Sequence, residues 1–371
     1  MSPARHRTLL PHALALFYGI AIVFASLQPF SPWIDPAADV PFWPLAAWPL
    51  RWTRFDVIAN VIAYVPLGAF VALAPRRATP AARATLAFSC GLVLSFALET
   101  LQMFLPPRDA SLIDLAANAT GALAGGIAGA SLVRAERVRR ALSGLRNRVF
   151  LPGKLGDVGL ALLVLWLVAQ INPGIPLFAV TFDAGQPPLA GDQPVLALGT
   201  APDVALTFIE TASTAFQLLG VGLFLALLLR DRRYIGGAVL LLVGAALLAK
   251  GAAAILVLKP AVWETWLKPA VSVGMAAGLL VLLFSVFLPR PAQVAICAVA
   301  LLASLLLPVM AVDLPPARAP LTLFNWRYGH LLNFNGLTQS VLLAWPLAAA
   351  AWLFVLSGRP RWGEPDAAGG L

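Results

Sequence analysis

Eight polar side chains recur at helical spacing within or beside apolar segments, and their types suit proton transfer or the capture of a polar ligand. Asp56 and Asn60 stand four apart in "RFDVIANVIAYVPLGAF", and Glu99 and Gln102 three apart in "ALETLQMFL". Arg108 and Asp109 open "RDASLIDLAANATGALAGGIAG", where Asp114 and Asn118 are again four apart. Spacings of three and four put each pair on one face of a helix. Glu99 could serve as a general base, Arg108 could hold a phosphate, and Asp114 is a third candidate for catalysis. The same eight residues, Asp56, Asn60, Glu99, Gln102, Arg108, Asp109, Asp114 and Asn118, could instead bind a ligand without turnover. Each also has a structural reading. Asp114 could cap its helix, where an acid meets the positive end of the dipole. Arg108 could clamp Asp109 or Asp114 at a membrane surface, worth about 0–1 kcal/mol if exposed.

Composition says what must position these groups. The 371 residues are 60% hydrophobic and only 12% charged, with mean hydropathy +0.84, whereas soluble domains carry about 25% charged residues. The chain reads as an all-α polytopic membrane protein. Apolar runs near 9–28, 55–74, 85–105, 114–133, 157–179, 204–229, 235–257, 269–288, 293–312 and 337–357 approach the roughly 20 residues a span needs. "NPG" at 172–174 should kink or end the fifth. With ten spans and both termini cytoplasmic, 18 of the 26 Lys and Arg fall inside and seven outside, with Lys250 within a span. The +9 net charge then reads as topology and contact with anionic lipid, and nucleic acid is excluded as a partner because the basic residues are scattered over short loops.

Under that topology the second, third and fourth spans bring the polar pairs together at the outer face. Glu99 is expected about two turns inside the outer end of its helix, roughly 9 Å. Ionisable groups at such depth are expensive, and each is a functional suspect. Gly121, Gly125 and Gly129 repeat every four residues, a spacing that lets helix backbones approach. Pro66 and Gly68 interrupt the second span and count as packing positions with them.

The pairing of "DVIANVIAYVPLG" with "ETLQMFLPPRDASLIDLAANATGALAG" resembles the VanZ-like family. The residues that carry the likeness are Asn60, Pro66, Leu67, Gly68, Glu99, Gln102, Arg108, Asp109, Asp114, Asn118 and Gly121. The resemblance covers roughly residues 1–135 and implies a four-span domain. Founding members are linked to low-level resistance to teicoplanin, a glycopeptide acting at the cell surface. The resemblance therefore implies a multi-pass protein of the bacterial cytoplasmic (inner) membrane, with antibiotic resistance as the associated phenotype.

The rest divides into a basic cytoplasmic linker, 136–154, and a six-span domain, 155–371. In the linker, Arg137, Arg140 and Arg148 with Val138, Ala141 and Leu145 suggest an amphipathic helix on the inner leaflet. Lys250 should snorkel outward, or pair with Glu210 or Glu264. The stretch 325–339, with Trp326, Arg327, Tyr328, His330, Asn333 and Asn335, suits a sugar or lipid headgroup or an interfacial aromatic belt. The belt reading also covers Trp33, Trp43, Trp48, Trp52, Trp263 and Trp266. Cys90 and Cys297 read as buried small hydrophobes. His6, His12 and His330 show no metal-ligand spacing, and neither a metal nor a cofactor is expected. The favoured expectation is an envelope-associated accessory or binding protein, in contact with membrane lipids and acting on a lipid-linked or surface glycan component. An intramembrane lipid-modifying enzyme using Glu99 and Arg108, or a transporter, is the alternative. Oligomeric state is not legible.

Overall fold

A computed structural model describes residues 9–27, 30, 32–36, 42–45, 54–75, 77–105, 110–172, 175, 177–178, 204–257, 266–311 and 329–358. Every element among them is helical: α1 (Leu10–Leu27), α2 (Arg54–Leu73), α3 (Pro80–Gln102), α4 (Leu112–Arg134), α5 (Glu136–Val149), α6 (Gly153–Ala169), α7 (Val204–Leu228), α8 (Ile235–Val257), α9 (Pro269–Ser285), α10 (Arg290–Ala311) and α11 (Gly329–Ser357). Eight of these segments, α1 to α4, α7, α8, α10 and α11, are long and apolar enough to cross a membrane. The protein is an all-α polytopic bundle. The other two expected spans are shorter. Helices α6 and α9 have 17 residues each. Helix α6 stops at Ala169, ahead of "NPG", because a residue before proline is pushed out of the helical region.

The chain forms two compact units, Met1–Ala161 with Trp326–Val341, and Leu162–Asn325 with Leu342–Leu371. In the first, α4 packs closely on both α2 and α3. Glycine decides how closely. A Cβ at Gly121 would overlap Val61 O of α2, and one at Gly125 would overlap Val65 O. One at Gly129 would lie 2.8 Å from Ala69 O. Both partner series step by four, so backbone lies on backbone along two turns. Gly68 of α2 meets Ala122 O reciprocally, while Gly126 faces α3 at Ala87. Pro66 lies inside α2, which continues through it. The Tyr18 hydroxyl of α1 donates to Ala63 O nearby at 2.9 Å.

Buried basic groups tie the other end of this unit. Arg83 is buried and donates to Ala72 O at the end of α2 at 2.6 Å and to Ala78 O just before α3 at 3.2 Å. Arg146 of α5 pairs with the fully buried Asp157 of α6, which also accepts from the Leu9 N–H at 2.5 Å. Helix α5 is thereby pinned, yet Val138, Leu142 and Leu145 remain exposed along one stripe among arginines.

In the second unit α7 is the interior helix, with 78% of its spanning window buried against 17–50% for the other spans. Helices α9 and α10 pack on it. Gly274 and Gly278 of α9 lie against Thr211 O and Ala215 O. Two expectations are corrected. Lys250 neither snorkels nor pairs with Glu210. It is 1% exposed, and its ammonium donates to Asn172 O at 2.7 Å and Ile175 O at 2.6 Å, carbonyls that the end of α6 leaves without helical partners. Glu210 pairs with Lys268 instead, at 2.9 Å, and Glu264 lies outside the described residues. Cys297 is buried, but Cys90 is exposed, because it lies on the face of α3 turned away from α4.

Candidate functional site

The site is built where α3 ends and α4 begins. Ser111 starts α4 and its hydroxyl accepts from the Ile113 N–H at 3.2 Å and the Asp114 N–H at 3.5 Å. The cap is therefore Ser111 and not Asp114, as a short hydroxyl reaches the first free N–H groups more easily than an acid three residues on. Asp114 looks across to α2, where the Asn60 side-chain amide donates to its Oδ1 at 2.7 Å. The Ser111 N–H donates to Glu99 Oε2 at 2.8 Å. Asn118, one turn deeper in α4, donates from Nδ2 to Ser95 Oγ at 3.0 Å.

Glu99 lies closer to its helix end than expected. Helix α3 stops at Gln102, with Met103 as its cap, since Pro106 and Pro107 follow. Glu99 is thus in the last turn. It is nevertheless only 4% exposed. Its cover comes from neighbours. The chain after α1 folds over this end, with the Ile34 N–H on Phe104 O at 2.9 Å. Trp43, in a 3₁₀ turn, is buried rather than interfacial. Its indole N–H donates to Thr100 Oγ1 at 3.1 Å, and its ring lies 5.4 Å from Phe96.

The predicted residues do not all converge. Asn60, Glu99, Asp114 and Asn118 meet between α2, α3 and α4. Gln102 turns away, its amide on Ser26 O of α1 at 2.9 Å. Asp56 occupies the first turn of α2, on the same face as Asn60. Arg108 and Asp109 lie outside the described residues, as do Arg327 and Tyr328. Three members were absent from the sequence reading. Ser95 and Tyr64 each stand four residues from a predicted member, Glu99 and Asn60, and Ser111 opens a Ser-x-x-Asp start signal.

Two atoms in this interior stand out. Asn118 Oδ1 is buried without a hydrogen-bond partner, and the Tyr64 hydroxyl is buried with the Ser95 hydroxyl as its polar neighbour. Tyr64 is 4% exposed and Asn118 6%. Both adjoin Ser95: Asn118 bonds it, and Ser95 and Glu99 are among the groups around the Tyr64 hydroxyl. An acceptor orphaned as Asn118 Oδ1 is uncommon in packed interiors, since it costs about 1–3 kcal/mol. Pro66, Gly68, Asn60, Glu99, Asp114, Asn118 and the glycine face thus occupy one three-helix module. Residues 2–133 match the VanZ/LLP1 family model. The N-terminal region is VanZ-like, and the polar cluster lies wholly inside it. None of the curated proteins and none of the solved structures compared with the chain matches it. Among the described residues, no group of three or more His, Cys, Asp or Glu side chains could hold a metal ion.

Proposed function

We propose that the VanZ-like region is a ligand-binding membrane module, and that the protein is an envelope-associated accessory acting on a lipid-linked or surface glycan component. The observation that carries this reading is Asn118 Oδ1, buried without a partner beside Ser95 and the Tyr64 hydroxyl. A sugar hydroxyl can donate to Asn118 Oδ1 while accepting from the Tyr64 O–H beside it. Glu99, Asp114 and Asn60 continue the polar cluster toward the helix ends. The Lys and Arg asymmetry supports an orientation with those ends on the outer face of a bacterial inner membrane, where such glycans are displayed. On this reading residues 1–135 form the binding domain, 136–154 a cytoplasmic linker, and 155–371 a second domain.

The test is the identity of what co-purifies. Mass spectrometry of lipids retained by the full chain should show a saccharide-bearing lipid enriched over bulk phospholipid. Tyr64→Phe should deplete it while leaving the fold intact, since the phenylalanine ring fills the same space. Bulk phospholipid alone, in the same proportions for both proteins, would overturn the proposal.

A further inference from the structure

The second unit contains a buried lysine that two backbone carbonyls hold, beside buried donors without partners. Lys250, 1% exposed in α8, is held by Asn172 O and Ile175 O. No ion pair involves it among the described residues, and Glu210, an acid of the same unit, is bound to Lys268. Two backbone carbonyls soften the cost of an ammonium in a membrane interior but leave its charge uncancelled. An ammonium also has three N–H donors, and the carbonyls take two.

The chain that Lys250 grips carries more unmet donors. Trp166 and Gln170 stand four apart, on one face of α6 and its terminal turn. Trp166 Nε1 and Gln170 Nε2 are both buried without a partner. Phe178 folds back onto both: its ring lies 5.2 Å from Trp166 and its N–H donates to Gln170 Oε1 at 3.3 Å. Lys250 and Gln170 thus hold neighbouring residues, Asn172 and Ile175 on one side and Phe178 on the other, with Trp166 against the Phe178 ring. The positive charge lies where α6 has broken off. A broken helix with exposed backbone groups at membrane depth is tolerated where it is buried in protein or lines a cavity.

Every unmet group here is a donor. Water would be a poor occupant, because it must donate as well as accept. A monoanion fits, since it is acceptor-only and supplies the missing charge. We propose that Lys250, Gln170 and Trp166, at the end of α6, form a binding site for a carboxylate or comparable monoanion. The anion arrives either from water or as the headgroup of a membrane-borne acid.

The full-length protein in nanodiscs of zwitterionic lipid separates these sources, with acetate and oleate as probes and the thermal unfolding midpoint as readout. A saturable rise with acetate assigns a water-borne anion, and a rise with oleate alone assigns a membrane-borne one. Lys250→Met should weaken the apparent affinity about tenfold or more. Trp166→Phe leaves the carbonyl grip untouched and should weaken the affinity roughly two- to tenfold while leaving the ligand-free midpoint unchanged or raised, since removing an unpaired donor relieves the fold. Gln170→Leu should weaken it similarly but also lower the ligand-free midpoint, because the buried Phe178 N–H loses its acceptor. No rise with either probe, or the same rise in Gln170→Leu and Trp166→Phe as in the natural protein, would overturn the site.

Discussion

The Ser111 N–H and the Glu99 carboxylate are joined across 2.8 Å, and this bond links the start of α4 to the last turn of α3. The same serine caps α4 with its hydroxyl. One residue therefore both begins the helix and holds the buried acid. Ser111→Ala keeps the backbone donor and loses the cap, which should cost about 1 kcal/mol. Ser111→Pro removes both and should cost about 1–3 kcal/mol more, because Glu99 then loses a buried partner. Thermal unfolding in detergent resolves the two. Equal losses would show that the cap, and not the link to Glu99, is what stability depends on.

Gly121 and Gly125 have the carbonyls of Val61 and Val65 where a side chain would go. Leucine at either position should separate α4 from α2 and cost at least about 1–3 kcal/mol, with a lower yield of folded protein. Gly144, on α5, has nothing near its missing Cβ. Gly144→Leu should fold normally and is the matching control. Unchanged midpoints for Gly121→Leu and Gly125→Leu would contradict the backbone contact.

Asp157 accepts from Arg146 and from the Leu9 N–H. Asp157→Leu should leave Arg146 poorly compensated and destabilise the protein by roughly 3–5 kcal/mol. Adding Arg146→Met should restore part of that loss, since no charge is then stranded. The measurement is again the unfolding midpoint. A double variant no better than the single would place the cost on the lost Leu9 bond.

The proposed orientation rests on the sequence reading that assigns eighteen Lys and Arg inside and seven outside. Reporters inserted near Arg146 and fused after Leu371 should give cytoplasmic signal, and one near Gly191 should give the opposite. Cytoplasmic signal at Gly191 would reverse the assignment of the second half.

Much of the bundle could be read from periodicity, because a twenty-residue apolar run has few other folds open to it. The α6 boundary was legible for the same kind of reason, since "NPG" leaves no helical continuation. Partner choice was harder. Gln102 shares a face with Glu99 but bonds Ser26, because a long flexible amide reaches whichever carbonyl lies nearest. Ser95 and Tyr64 are ordinary in apolar helices, and only their four-residue offsets from Glu99 and Asn60 marked them. Lys250 was misread because its acceptors are backbone carbonyls more than seventy residues away, and a carbonyl has no letter in a sequence. Trp43 looked interfacial until Phe96 and Thr100 were seen beneath it.

The central claim, that the cluster around Glu99 holds a ligand, is tested most directly by native mass spectrometry of Glu99→Gln protein at matched folded amounts. The substitution keeps the shape and removes the charge. The ligand is predicted to be lost while the unfolding midpoint stays close to that of the natural protein. Full ligand occupancy in Glu99→Gln, or a lowered midpoint restored by adding Arg108→Ala, would contradict the claim and make the cluster a structural network.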